Sequence, residues 1–439
     1  MTMLLAGLGT ALITSTALAQ TAMNADERAE SVRALASIVR DEFFDEARAH
    51  ALADALETDL AQGAYDDVAD AEALATRLSE QLHEADRHFG VQFVGPETAA
   101  EMIARRSQME EGGPAQRPED PWGPLRRANF GFASVEILPG NIGYIDLRQF
   151  APITPAVDTA RAALDFVANT DAVIFDLRQN GGGAPSMVQF LISHFLDPEE
   201  PVVINTFVSR DLDYPDQLWA LASHPSGFRP ETPLYVLTSG RTGSAGEAFP
   251  YHLKAMERAT IIGETTYGAG NPGDTFFTPQ GFSIFVSTGS ARNPITLSNW
   301  EGTGVEPHIS VPAEEALDRA LAEAYDVLID QAEDPVRRRG LEWAAESLDA
   351  RLSPRDVRAS QLSAYAGQYG VRTISVEGGQ LHYARDGGAP QPLIALGDHR
   401  FAFTDTSDIQ VVFDMSGRNA VAMEFHMADG RARRYPRGE

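Results

Sequence analysis

The chain has 439 residues, with 35 lysines and arginines against 63 acids and a formal charge of −28. At 43% hydrophobic and 22% charged residues it is ordinary globular material, too long for one simple core. The acid excess argues against nucleic acid as a partner, because phosphate binding needs clustered Lys and Arg, and the lack of cysteine excludes disulfides, thiol nucleophiles and Cys-bound metals.

Met3 to Ala19 is apolar and rich in small residues, and it ends Ala17-Leu18-Ala19 before Gln20. That is the small-x-small form of a signal-peptidase site, although the stretch has no Lys or Arg ahead of its apolar run. The expectation is a cleaved signal peptide over 1–19 and an exported protein, periplasmic or extracellular. No later segment reads as a membrane span.

From Asp26 to Arg87 apolar residues recur at three- and four-residue spacing (Val32, Leu35, Ile38, Val39), which predicts a small helical bundle. Arg105 to Arg127 is rich in Gly, Pro and charge and reads as a linker. From Phe130 onward strands and helices alternate. Asn141–Arg148 and the apolar run Asp171–Leu177 read as strands, with a helix between them. Gly181-Gly182-Gly183 then makes a loop before a helix over Ser186–Leu196. Pro233–Thr238, Ser244–Glu257 and Thr260–Gly263 repeat strand, helix, strand, and Glu314–Ala332 is an amphipathic helix. After Pro354, short runs separated by turn residues predict an all-β module. The chain therefore divides into a signal peptide (1–19), a helical domain (20–95), a linker (96–129), an α/β domain (130–335), a second linker (336–353) and a β-domain (354–439).

Three segments carry candidate chemistry. In Thr238 to Glu247 a buried strand ends in small residues, and Ser244 opens a helix whose free N–H groups can stabilise an oxyanion. Ser244 with Glu247 is also a capping box, and the segment misses the G-x-S-x-G elbow because Thr242 holds the first Gly position. In Asp176 to Gly183, glycines directly after a strand allow close backbone approach and can supply one oxyanion N–H; a plain strand-to-helix turn explains them equally. Gly268 to Gly273 matches G-x-G-x-x-G, but Pro272 and a strand-like stretch follow where a dinucleotide site needs a helix.

Gly140 to Arg148, Asp176 to Gly183, Thr238 to Glu247 and Gly302 to Ile309 occur in this order, and the series resembles the tail-specific serine peptidase family. That family includes the C-terminal processing proteases, the tricorn core peptidase and the interphotoreceptor retinoid-binding modules. The likeness runs over roughly residues 80 to 335, and Phe130 to Asn141 resembles the retinoid-binding branch. It implies an α/β fold with a crotonase/ClpP-like ββα core, flanked here by the N-terminal helical domain and the C-terminal all-β module.

Two departures bear on mechanism. Processing proteases of the family use a Ser–Lys dyad, with the lysine in a Gly-Lys-Gly segment; the matching segment here is Gly268-Ala269-Gly270. The single lysine, Lys254, lies ten residues along the helix of Ser244, roughly 15 Å away. The stretch between His88 and Asn141 is also too short for a PDZ domain. The tricorn-like branch instead uses a histidine from the N-terminal helical region and a glutamate after the nucleophile. The matching residues are His88 and Glu301, with Arg87 where tricorn has a serine. Histidine titrates near neutrality and can take the Ser244 proton, and a carboxylate fixes its tautomer. The resemblance thus implies catalytic Ser244, His88 and Glu301, with oxyanion donors from Ala245 and from Gly181 or Gly182. It implies no metal or organic cofactor, and a peptide or unfolded C-terminal tail as substrate. An apolar-ligand binder on the same fold and an esterase with the same triad are the alternatives.

Overall fold

The computed structural model describes residues 23–438 except 111–119, 211, 213, 355 and 356; the expected signal peptide lies outside the described residues. Helices α1 (Ala25–Glu42), α2 (Glu46–Ala61) and α3 (Ala71–His83) form the N-terminal bundle. Each begins on a side chain that accepts backbone N–H groups: Asn24, Asp45 and Asp70. Strand β1 (Gly90–Phe93) follows, then α4 (Pro96–Glu110) and α5 (Gly123–Arg127). The expected linker 96–129 is thus partly helical. Pro96 suits a first helical turn, no breaker follows before Gly112, and Arg106 lies 4.3 Å over the Phe276 ring.

The central sheet is built from β2 (Phe132–Leu138), β3 (Ile142–Leu147), β4 (Ala172–Asp176), β7 (Leu234–Thr238), β8 (Thr260–Gly263) and β12 (Ile309–Ser310), in the order β12-β8-β7-β4-β3-β2. All neighbours run parallel except β2, which is antiparallel to β3. Alternation sends Val173 and Phe175 to one face and Ala172 and Ile174 to the other. The first face is covered by α6 (Ile153–Phe166), α7 (Pro185–His194) and α8 (Ala245–Ala255). Fully buried Phe249 of α8 packs 5.0 Å from the Phe175 ring and 5.8 Å from Phe150, a burial that stabilises by about 2–3 kcal/mol.

The second face is covered by α9 (Ala316–Gln331) and α10 (Pro335–Leu352). Helix α10 stands where the linker 336–353 is expected. Asp334 caps it, Leu341, Ala344 and Leu348 join the α/β core, and Ala350 packs with Leu396 and Ala402 of the β-module.

Two smaller sheets complete this region: β5 (Val203–Ser209) between β6 (Asp216–Trp219) and β11 (Gly289–Arg292), and β10 (Phe282–Ser287) between β9 (Gly273–Phe277) and β1. The second pairing ties the N-terminal unit to the middle of the chain. Phe276, Phe282, Ile284 and Val286 share one core with Leu35, Leu56, Leu74 and Phe89.

After α11 (Ala359–Tyr365), the C-terminal module is an antiparallel meander of β13 (Gly367–Tyr369), β14 (Arg372–Glu377), β15 (Gln380–Arg385), β16 (Gln391–Gly397), β17 (Arg400–Phe403), β18 (Ile409–Ser416), β19 (Asn419–Met427) and β20 (Ala432–Pro436). The α/β core with a C-terminal all-β module is the architecture expected from the sequence.

Candidate active site

Strand β7 runs into the loop 239–243 and turns sharply at Ser244 into α8. Ser244 has φ 55° and ψ −123°, a conformation an L-residue adopts only when its surroundings enforce it. The enforcing bonds are identifiable. The Thr242 hydroxyl donates to Leu177 O at 2.8 Å, Gly243 N–H to Asn180 O at 3.0 Å, and Ser244 N–H to the Glu247 carboxylate at 2.8 Å.

The glycine loop lies directly against this turn. Gly182 has φ +115°, and a Cβ there would sit 2.7 Å from Ser244 Cβ and 3.2 Å from Ala245 N. Only glycine allows that approach. Asn180, fully buried, anchors the loop: its Nδ2 donates to Leu147 O at 2.8 Å and its Oδ1 accepts Gly182 N–H at 2.9 Å. The Gly182 N–H is therefore already taken. Among the described residues, no acceptor takes the N–H of Gly181 or of Ala245. Upstream, Arg178 clamps Asp176 at 2.5 and 2.9 Å and donates to Ala313 O, and the Tyr144 hydroxyl donates to Asp176. Burial opposes charge on Asp176, but these bonds outweigh it and hold its carboxyl below the usual range.

His88 and Glu301 are brought together, with Nδ1 3.9 Å from Oε2. The His88 ring is mostly buried, 5.5 Å from the Phe285 ring, and among the described residues its Nδ1 has no hydrogen-bond partner. Burial lowers its pKa from the usual 6.5, against the nearby Asp86 carboxylate, which raises it. Burial likewise raises the Glu301 pKa, reinforced by Asp86 and opposed by N–H bonds from Arg87, Gly270 and Asn271. Asp86 was not singled out in the sequence. It is buried, accepts His88 N–H at 2.9 Å and accepts Asn271 Nδ2 at 2.9 Å. Its signal is the spacing Asp86-x-His88, which suits a local side-chain-to-backbone bond.

No hydrogen bond joins His88 to Ser244 among the described residues; the chain between them does. The Gly268-Ala269-Gly270 segment points its backbone donors at two carboxylates. Gly268 and Ala269 N–H donate to Glu247 at 2.6 and 2.9 Å, and Gly270 N–H donates to Glu301 at 2.6 Å. Arg87 reaches Tyr267 O, and Tyr267 N–H bonds Thr242 O. Glu247 is thus more than a helix cap. It is fully buried and accepts four donors, Ser244 and Thr266 included, while burial pushes its carboxyl up to about 7. Two other histidines of the α/β domain have structural roles: His252 is a core residue on Asn293 and Trp300, and His308 accepts Ile261 N–H. Lys254 donates to Glu306 O at the far end of α8.

Beside Glu301 opens a cavity of about 500 Å³, lined by Arg48, His83, Asp86, Arg87, Asn299 and Glu301 among others. Asp86, His88 and Glu301 offer ligand atoms within 4.8 Å of one another, a spacing that suits a metal ion. Their carboxylates, however, already accept five N–H groups, from Arg87, His88, Gly270, Asn271 and the Asn271 side chain. Such donors stabilise the carboxylates without a cation.

Residues 141–311 match the sequence model of peptidase family S41. Curated relatives include the carboxy-terminal processing protease CtpB of Bacillus subtilis (strain 168), 25% identical over 183 residues, which are 41% of this chain and 36% of that protein. The carboxy-terminal-processing protease of Bartonella bacilliformis is 28% identical over 199 residues, 44% of this chain and 43% of that protein. The chloroplastic carboxyl-terminal-processing peptidase 1 of Arabidopsis thaliana is 28% identical over 169 residues, 38% of this chain and 33% of that protein. The matches thus span well under half of the relatives' length. Among solved structures, the photosystem II D1 C-terminal processing protease is 14% identical with a TM-score of 0.39, covering 66% of this chain and 94% of that one. Ser244, Gly181, Gly182 and Glu301 lie within the segment that matches peptidase family S41, whereas Asp86 and His88 lie outside it.

Proposed function

We propose that the protein is a serine peptidase acting on peptides or unfolded C-terminal tails. His88 takes the proton of Ser244 as its hydroxyl attacks the scissile carbonyl, and returns it to the amine that leaves when the C–N bond breaks and the acyl-enzyme forms. The N–H groups of Gly181 and Ala245 receive the oxyanion, Glu301 orients the imidazole, and water resolves the acyl-enzyme. The observation that carries this reading is the enforced turn at Ser244 beside two backbone N–H groups that have no acceptor among the described residues. In this reading the hydrogen bond from Ser244 to His88 forms as substrate binds. The carboxy-terminal processing relatives supply the substrate class. Export, expected from Met3–Ala19, belongs to the same proposal; no helix among the described residues is long and apolar enough to cross a membrane.

The test is a diverse peptide mixture with new termini read by mass spectrometry, beside labelling with a fluorophosphonate. Cleavage together with a label on Ser244 is the expected result. Neither cleavage nor label would overturn the peptidase in favour of a binder.

The neutral histidine required of a base should persist into mild acid. Following the His88 ring by NMR, assigned with His88→Gln, should give a midpoint below 6.5, because burial outweighs Asp86. A midpoint above that value would mean the two carboxylates dominate the ring.

A further inference from the structure

The C-terminal module is charge-balanced, with ten arginines and ten acids over residues 354–439, so the whole excess of −28 sits on the rest of the chain. Its first and last strands approach each other: Gly438 N–H donates to Gln368 O at 2.7 Å, and Arg437 caps Ala364 O and Ala420 O. The enclosed face holds Tyr365, Tyr369, Phe401 and Phe413.

At one end of that face the lining changes. Arg372 lies two residues before core Ile374 and so shares its face. It stands directly opposite Arg385, and Arg433 stands opposite Phe425. Like charges directly opposite destabilise an antiparallel pair. The Arg372 guanidinium carbon sits 3.7 Å from the Tyr435 ring centre and 5.4 Å from Phe425. Beneath it Tyr435, Phe425, Tyr383 and Phe403 form a connected aromatic cluster, with ring centres 5.3–6.0 Å apart.

A cation over a ring accounts for the face of the guanidinium but not for its N–H edge. Among the described residues the buried Arg372 Nε has no partner, and no carboxylate pairs with Arg372 or Arg433. Arginines turned the other way are paired: Arg434 holds Asp414 and Glu424, and Arg400 holds Glu346. A buried donor left unmet is destabilising, because it gives up its water without gaining an acceptor.

We propose that this end of the module binds a carboxylate carried on an apolar chain. The planar fork of Arg372, held by Tyr435, takes the carboxylate bidentately, Arg433 adds charge, and the apolar part rests on the aromatic cluster. A peptide C-terminus and a fatty acid present the same chemistry. The site is independent of hydrolysis at Ser244, so either assignment can fail without the other.

The experiment uses the full chain carrying Ser244→Ala, so that probes survive. Calorimetry compares an apolar hexapeptide with a free carboxylate, its C-terminal amide, and decanoate. At least one of the two acids should bind, and the tighter one identifies the source. Arg372→Met should weaken that acid at least tenfold, about the loss of one bidentate pair, and the amide should bind as poorly as the acid does to the variant. Arg372→Met should unfold at the same temperature as its parent or higher, since it removes an unpaired cation. Arg372→Lys, which keeps the charge without the fork, should fall between. Equal binding of peptide acid and amide with no decanoate binding, unchanged binding in Arg372→Met, or no binding of either acid up to about 5 mM would overturn the proposal.

Discussion

Ser244→Ala should abolish cleavage, with kcat/KM falling by about 10⁴-fold or more, while the unfolding temperature stays within a degree or two. The change removes one oxygen at a half-buried turn and leaves the backbone bonds of that turn in place, including Ser244 N–H to Glu247 and Gly243 N–H to Asn180. The fold therefore has no reason to respond. His88→Ala in parallel should fall by a similar factor, because nucleophile and base act as a unit and their losses do not add. A Ser244→Ala protein that kept measurable serine-type turnover, read as fluorophosphonate-sensitive cleavage, would remove Ser244 from the reaction.

Glu247→Gln should be the most damaging change outside the triad, lowering both activity, by about 100-fold, and the unfolding temperature, by several degrees. Both carboxylate oxygens of Glu247 are occupied by donors: Ser244 N–H and Ala269 N–H on one, Gly268 N–H and the Thr266 hydroxyl on the other. A glutamine offers one acceptor oxygen and turns an NH₂ toward the Gly268 or Ala269 N–H. A protonated glutamic acid escapes this, since its O–H can donate to Thr266 while the oxygen still accepts Gly268 N–H. The folded-state pKa of Glu247, about 7, lies above its ordinary 4.5. Between those values the folded chain holds more protons than the unfolded one, so this group's contribution is present in acid and is lost as the pH rises through 7. Denaturant melts at pH 5 and pH 8 should show the wild-type advantage over Glu247→Gln shrinking at the higher pH. An advantage unchanged or growing with pH would mean the four donors keep the carboxylate charged throughout.

The readable parts of this chain are those in which local pattern and tertiary role agree. Ala172–Phe175 is an uninterrupted apolar run because β4 is buried on both faces, and the ordered motifs at Asn141, Gly181, Ser244 and Gly302 fall at strand ends and loops around one sheet. The less readable parts depend on partners far along the chain. The β1 pairing of Gly90 with Phe285 has no local signature, since four residues carry too little pattern. Glu247 satisfied a local explanation as a capping partner, which hid the three donors that arrive from residues 266–269. Helix α10 was obscured by its arginine run, although Leu341, Ala344 and Leu348 lie on one face of it.

The core shared by the N-terminal helices and β9–β10 sets how far the chain can be shortened. A fragment beginning at residue 130 would keep Ser244, Glu301 and the whole central sheet, yet it would lose the helices that cover Phe276, Phe282, Ile284 and Val286, and strand β10 would present a bare edge where β1 had been. Such a fragment is a candidate for sticking to itself edge to edge rather than a minimal enzyme.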